Sequence, residues 1–324
     1  MNKLKQFIEE LGRMPIVPLA GFPGIELTGK SIKACLSNAD IQTETLLALY
    51  EQIKPDALFT MMDLTVEAEF LGCSLKFSED DPPAVQESAL EDEERVEELF
   101  EKKTIGGRMP LFAEVVRGLR HALDIPVCAY VIGPFTLAGQ IMDLARVMKA
   151  TRKNPTKLHH LLSKSTELIM NYVALLEDSG ADLICVLEPS AMMISARHFK
   201  EFSGQYCGKL FREGISRMSV LHICGDTNHL ISEMEETGPD GLSLDKQVSM
   251  PEVYHRLNNG TVLIGNIDPV SILALGTPGL VRKESEELKK AMEGKRNFIL
   301  STGCDVPQNA SLDNIRAMIS VKDI

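Results

Sequence analysis

Eight short apolar runs recur along the 324 residues, with helix-like stretches between them. They are MPIVPLA (14–20), ALFTMMD (57–63), IPVCAYVI (125–132), DLICVLE (182–188), SVLHIC (219–224), DGLSLD (240–245), TVLIGN (261–266) and NFILST (297–302). Apolar residues sit on consecutive positions, as in strands buried on both faces. Between them lie patterned stretches such as LFAEVVRGLRHAL (111–123) and LHHLLSKSTELIMNYVALLEDSG (158–180), the second closing on Gly180, a helix stop. Eight such strands alternating with helices predict an α/β chain, a (β/α)8 barrel, with an open doubly wound sheet as the alternative. No internal repeat and no Pro/Gly/Ser linker divides the chain, so residues 1–324 read as one barrel domain with an N-terminal extension.

A net charge of −12 argues against a general nucleic-acid binder, which needs clustered Lys and Arg at phosphates. Seven cysteines, at 35, 73, 128, 185, 207, 224 and 304, lack the dense spacing of a disulfide framework. No apolar run approaches the roughly 20 residues needed to span a bilayer. MNKLKQFIEELGRMP has no signal-peptide core, so a cytoplasmic protein with reduced thiols is expected. The acidic segment SEDDPPAVQESALEDEERVEELFEKK (78–103) reads as a solvated excursion carrying a surface helix.

Polar residues gather where the runs stop: Asp63, Glu188, His222 with Cys224, Asp245, Asn266 with Asp268, and Cys304. In a parallel barrel these strand ends share one rim, the rim on which active sites are built. GIELTGKS (24–31) satisfies the phosphate-loop pattern literally, but Glu26 opposes phosphate and Ile25 and Leu27 are bulky for such a loop. Asn38-Ala39-Asp40 also starts a new helix, leaving little helix after Ser31 to face an anion.

Strand residues i and i+2 point the same way, so His222 and Cys224 project together. Zinc takes three or four such ligands. Cys304, ending a later run in STGCDVP, is the candidate third, and His229 the rival nitrogen. The alternative is a buried histidine beside a structural cysteine. An imidazole with two thiolates favours Zn²⁺ over Mg²⁺ or Ca²⁺ and leaves one position for a substrate. Asp245 and Glu188 are candidate fourth ligands or supports for the ligands.

The chain resembles the uroporphyrinogen decarboxylase superfamily, and within it the zinc-dependent corrinoid methyltransferases of the methylcobalamin:coenzyme M type. The resemblance rests on LAGFPGIELTG (19–29), KPDALFTMMDLTVEAEFLGC (54–73), VIGPFTLAGQIM (131–142), GADLICVLEPSA (180–191), LHICGDT (221–227), GLSLDKQV (241–248), LIGNIDPV (263–270) and STGCDVPQNASLDNIRAMI (301–319). It implies a (β/α)8 barrel with Zn²⁺ on His222, Cys224 and Cys304. It further implies catalytic roles for Asp63, Glu188 and Asp245, and cofactor contacts at Gly133, Asn266 and Asp268. A methyl group would pass between a corrinoid, methylcobalamin carried by a partner corrinoid protein, and a small thiol such as coenzyme M. No D-x-H-x-x-G corrinoid-binding signature is present, so the corrinoid is expected to arrive from outside this chain.

Two departures matter. Residues 1–63 hold a single arginine, Arg13, where the decarboxylase collects several, and QNASLDN replaces the threonine-proline and glutamate of many relatives. A metal-independent decarboxylase using Asp63, and a non-catalytic corrinoid or tetrapyrrole binder, are the other readings.

Overall fold

In the computed structural model, which describes residues 2–90, 95–101, 104–258 and 260–323, seven parallel strands form one curled sheet. They are β1 (Leu58–Phe59), β4 (Val127–Ile132), β5 (Leu183–Leu187), β6 (Met218–Ile223), β7 (Gly241–Leu244), β8 (Val262–Ile267) and β9 (Phe298–Thr302), neighbours in that order. The remaining run, MPIVPLA, supplies the closure. Ile16 forms a parallel bridge with Leu300 of β9 while its carbonyl accepts from Asp56 N, just before β1. Pro15 and Pro18 flank this contact and have no N–H to donate, which limits it to a single bridge. The result is the expected (β/α)8 barrel.

Alternation along the strands sorts side chains into two apolar clusters. Leu183, Cys185 and Leu187 of β5, Val220 of β6, Ile264 of β8 and Ile299 of β9 fill the barrel interior with stacked Phe59 and Tyr130 (centroids 4.8 Å apart). Ile184, Val186, Leu221, Ile223 and Leu242 point outward into the helix layer. That layer includes Met109–Ala122, whose buried Met109, Phe112, Val116 and Leu119 follow helical spacing, and Pro155–Asp178. Gly180, with φ of +103°, turns the chain from the latter helix into β5.

The N-terminal extension is the helix Lys3–Leu11, which closes the amino end of the barrel. Leu4 and Ile8 join the interior cluster, and Asn2 Nδ2 donates to the carbonyls of Asp240 (2.6 Å) and Gly260 (2.7 Å). With that end plugged, the carboxyl ends of the strands are left as the open rim. Among the described residues no helix is long and apolar enough to cross a membrane.

The acidic segment carries the surface helix read from it, Val96–Phe100, and adds β3 (Ala84–Glu87), which pairs antiparallel with β2 (Ser74–Lys76) just before the segment. Residues 91–94 and 102–103 of that segment lie outside the described residues. The GIELTGKS stretch becomes a helical turn, Ile25–Thr28, ended by Gly29 at φ +63°, and Ser31 then caps the next helix, Ile32–Ser37. Ser31 and Asn38 each begin a helix of their own, which is not the strand–loop–helix geometry of a phosphate loop.

Candidate metal centre

His222 lies near the end of β6 between inward Val220 and Cys224, so the two-residue period that packs the core also turns the imidazole to the inner face. It is 1 % exposed. Its Nε2 lies 3.0 Å from Cys224 Sγ, and Cys224 Sγ lies 3.2 Å from Cys304 Sγ. The three donor atoms all fall within 4.8 Å of one another, with both cysteines half-buried. Neither sulfur is in a disulfide. The hydrogen bond between the sulfurs divides their acidity: it is the chief reason Cys224 is pushed up and Cys304 is drawn down. Burial opposes the ionised Cys304, and the His222 imidazole adds to its favour. The two sulfurs and the imidazole nitrogen thus converge on one point. A soft divalent cation would use all three donors, so the donor set fits zinc.

Strand β7 supports this cluster. The β6–β7 register pairs His222 with Ser243, whose Oγ lies 2.9 Å from His222 Nδ1 and orients the ring for Nε2 to act as the donor. Two residues on, Asp245 Oδ2 accepts from Gly225 N (2.8 Å), immediately after Cys224. A Cβ on Gly303, immediately before Cys304, would stand 2.8 Å from Lys246 N and 3.0 Å from Asp245 Oδ1. Asp245 therefore wedges between the two cysteine-bearing turns, and Gly303 has to be glycine for the wedge to fit. From β8, Asn266 Nδ2 donates to the carbonyls of Asp245 (2.9 Å) and Val248 (2.7 Å), holding the turn that carries Asp245.

The other candidates are committed within the protein. Asp268 caps its own helical turn through Val270 N and Ser271 N and pairs with Lys246 at 2.5 Å. Burial works against its charge, but these partners prevail and hold the carboxyl at about 2. Glu188 is fully buried against the N-terminus of the helix Pro134–Met142, accepting from Phe135 N, Thr136 N and Ser203 Oγ, each at 2.9 Å. Burial pushes its pKa up, opposed by those donors. A Cβ on Gly133 would stand 2.3 Å from Glu188 Oε2, so that glycine makes room for the carboxylate. Asp63 accepts from Thr65 N (2.8 Å) and Oγ1 (2.7 Å) and forms an ion pair with Arg108, which also reaches Glu69 at 2.5 Å. Arg108 follows Asp63 by 45 residues, and no local pattern announces the pairing. His229, the rival ligand, stands 3.2 Å from the Ile194 carbonyl instead. Arg13 pairs with Asp56 at 2.6 Å, beside the N-terminal helix at the closed end of the barrel.

Residues 8–323 match the model of the uroporphyrinogen decarboxylase (URO-D) family. The chain belongs to the URO-D family. Among curated URO-D relatives, it is 29 % identical over 321 residues to the methylated-thiol–coenzyme M methyltransferase of Methanosarcina mazei, covering 95 % of this chain and 85 % of that one. It is 28 % identical over 298 residues to the methylcobamide:CoM methyltransferase MtaA of Methanosarcina barkeri, covering 89 % and 85 %. A solved structure of a methyltransferase from Methanosarcina mazei superposes with a TM-score of 0.87 at 23 % identity, over 96 % of this chain and 94 % of that one. At that identity the superposition establishes the fold.

Proposed function

We propose that this URO-D family chain, acting as one barrel unit, is a methyltransferase that moves a methyl group between a corrinoid and a small thiol at a zinc centre. The reading is carried by the three soft donors of His222, Cys224 and Cys304, which converge on one another at the open end of the barrel. The relatives named for methyl transfer to coenzyme M support the reaction class.

Zinc bound there would supply the Lewis acidity that keeps a substrate thiol ionised at neutral pH while leaving sulfur lone pairs for attack. The residues around it do the rest. Ser243 fixes the imidazole, and Asp245 holds the turns bearing both cysteines in place. His222, Cys224 and Cys304 would hold the zinc that presents the substrate sulfur, which would accept the methyl group as a C–S bond while the corrinoid kept the electron pair of the broken bond. Positioning the two reactants accounts for much of the rate. Asn266 and Asp268 act in this scheme by stiffening the rim, and Gly133 with Glu188 by anchoring the helix behind it.

A partner corrinoid protein would approach the open rim. The exposed large apolar side chains among the described residues, Leu27, Met192, Met193, Val270 and Leu275, stand on turns that follow the first run, β5 and β8. Met192 lies against Gly225, beside Cys224. Apolar groups gathered at one end of a molecule suit a broad docking surface.

The test is methyl transfer from free methylcobalamin to 2-mercaptoethanol, followed by cobalamin absorbance and product mass. Turnover should disappear on zinc removal and return on adding zinc. Undiminished turnover in the metal-free protein would contradict the proposal.

A further inference from the structure

The two cysteines of the metal centre are placed to react with each other as well as to hold a metal. Cys224 Sγ and Cys304 Sγ lie 3.2 Å apart, and neither is in a disulfide. That separation exceeds a sulfur–sulfur bond by only about 1 Å. Both residues stand on turns just past the ends of their strands, Met218–Ile223 and Phe298–Thr302, so the gap can close without breaking the strand ladders. Gly225, at φ +90°, follows Cys224 directly, and Gly303 precedes Cys304. The other five cysteines, at 35, 73, 128, 185 and 207, are buried, whereas these two are half-buried. An oxidant entering from the open rim therefore meets Cys224 and Cys304 first.

We infer that Cys224 and Cys304 form a reversible redox pair: a peroxide joins them in a disulfide and so takes the metal site apart. One sulfur attacks the peroxide, its O–O bond breaks, and a sulfenic acid forms as the first water leaves. The second sulfur attacks the first, the S–S bond forms, and the other oxygen leaves as water. Two sulfurs are oxidised by two electrons in all, and hydrogen peroxide is reduced to two waters. The protons come from the thiols, or from solvent where zinc already holds thiolates. A disulfide carries no negative charge, so His222 alone is left as a full donor, too few for zinc. A dithiol reverses the step, as for the transient disulfides of redox-sensing proteins. The loss of metal rests on the zinc reading of the site, and the bond between the sulfurs does not.

The test starts from protein incubated with zinc, its metal content measured, and then treated with rising hydrogen peroxide. Released zinc is followed with a chromogenic chelator, and the products by intact mass and by mapping of unreduced peptides. Zinc release should keep pace with the loss of two hydrogens, the link should map to Cys224 and Cys304, and the five buried thiols should stay intact. Dithiothreitol followed by zinc should restore the original mass and metal content. Metal-free protein should form the same link at least about tenfold faster, because zinc does not hold its sulfur lone pairs. Cys224→Ser should form no link and should gain oxygen at Cys304 instead. A link from Cys304 to Cys185, oxygen added to both cysteines without a link, or a link formed while zinc is retained would each overturn the inference. Protein that takes up no zinc at the start and still links the two cysteines overturns the zinc reading and leaves the sulfur pair standing.

Discussion

Two regions of the same rim carry polar side chains at strand ends, and they end differently. Around β1, β4 and β5, every candidate is consumed locally: Asp63 by Arg108 and Thr65, and Glu188 by a helix N-terminus and Ser203. Around β6, β7 and β9, the supports are consumed but the donors are not. Ser243 and Asp245 are bonded to their neighbours, while His222 Nε2, Cys224 Sγ and Cys304 Sγ converge on one another, with the Asp305 N–H added at Cys304. A polar residue at a strand end is therefore a weak sign of chemistry. The stronger sign is a group of donors held rigidly with bonding capacity left over.

The contrast can be broken most severely at Cys304. Cys304→Ser replaces a soft thiolate by a hydroxyl, and should lower zinc content by at least about a hundredfold in affinity and abolish methyl transfer, with the fold intact by circular dichroism. In the other region the same severity should appear as lost stability. Gly133→Ala puts a methyl group against the buried Glu188 carboxylate, at an expected cost of about 3 kcal/mol in urea unfolding, with zinc affinity unchanged in the protein that folds. A Gly133→Ala protein that instead loses zinc would merge the two regions.

Glu67 sharpens the comparison by pH. It is fully buried, and accepts from Ile132 N at 2.9 Å. Burial is the main cause of its rise to about 7, against that backbone donor and the Arg108 charge. A carboxyl raised in the folded state contributes stability that is full below its unfolded pKa and lost as pH climbs through about 7. Glu67→Gln removes this dependence, so unfolding free energy relative to wild type should shift in the variant's favour by up to about 3 kcal/mol from pH 5 to pH 8. Ser243→Ala is the gentlest change. It should weaken zinc roughly 10–100-fold in chelator competition while leaving unfolding of the metal-free protein nearly unaltered.

Much of the fold was legible because strands buried on both faces read as unbroken apolar runs, and each of the eight runs contributes to the barrel. The run at 57–63 nevertheless pairs over Leu58–Phe59 alone, and the hairpin at 74–87 was hidden beneath acidic residues and prolines because its strands are largely exposed. His222, Cys224 and Cys304 were readable as a set because spacing and strand ends are local properties. Their supports were harder. Ser243 is a small polar residue inside an apolar run, visible only through its two-residue step from Asp245 and its register opposite His222. Arg108 could not be found, since its partner Asp63 meets it only through the folded chain.

The most direct test of the uncommitted donors is X-ray absorption at the zinc edge, without and with 2-mercaptoethanol. Two sulfurs and one imidazole nitrogen from the protein, rising to three sulfurs when the thiol is added, is the expected result. A zinc-loaded protein whose sulfur count does not change with the thiol would contradict it.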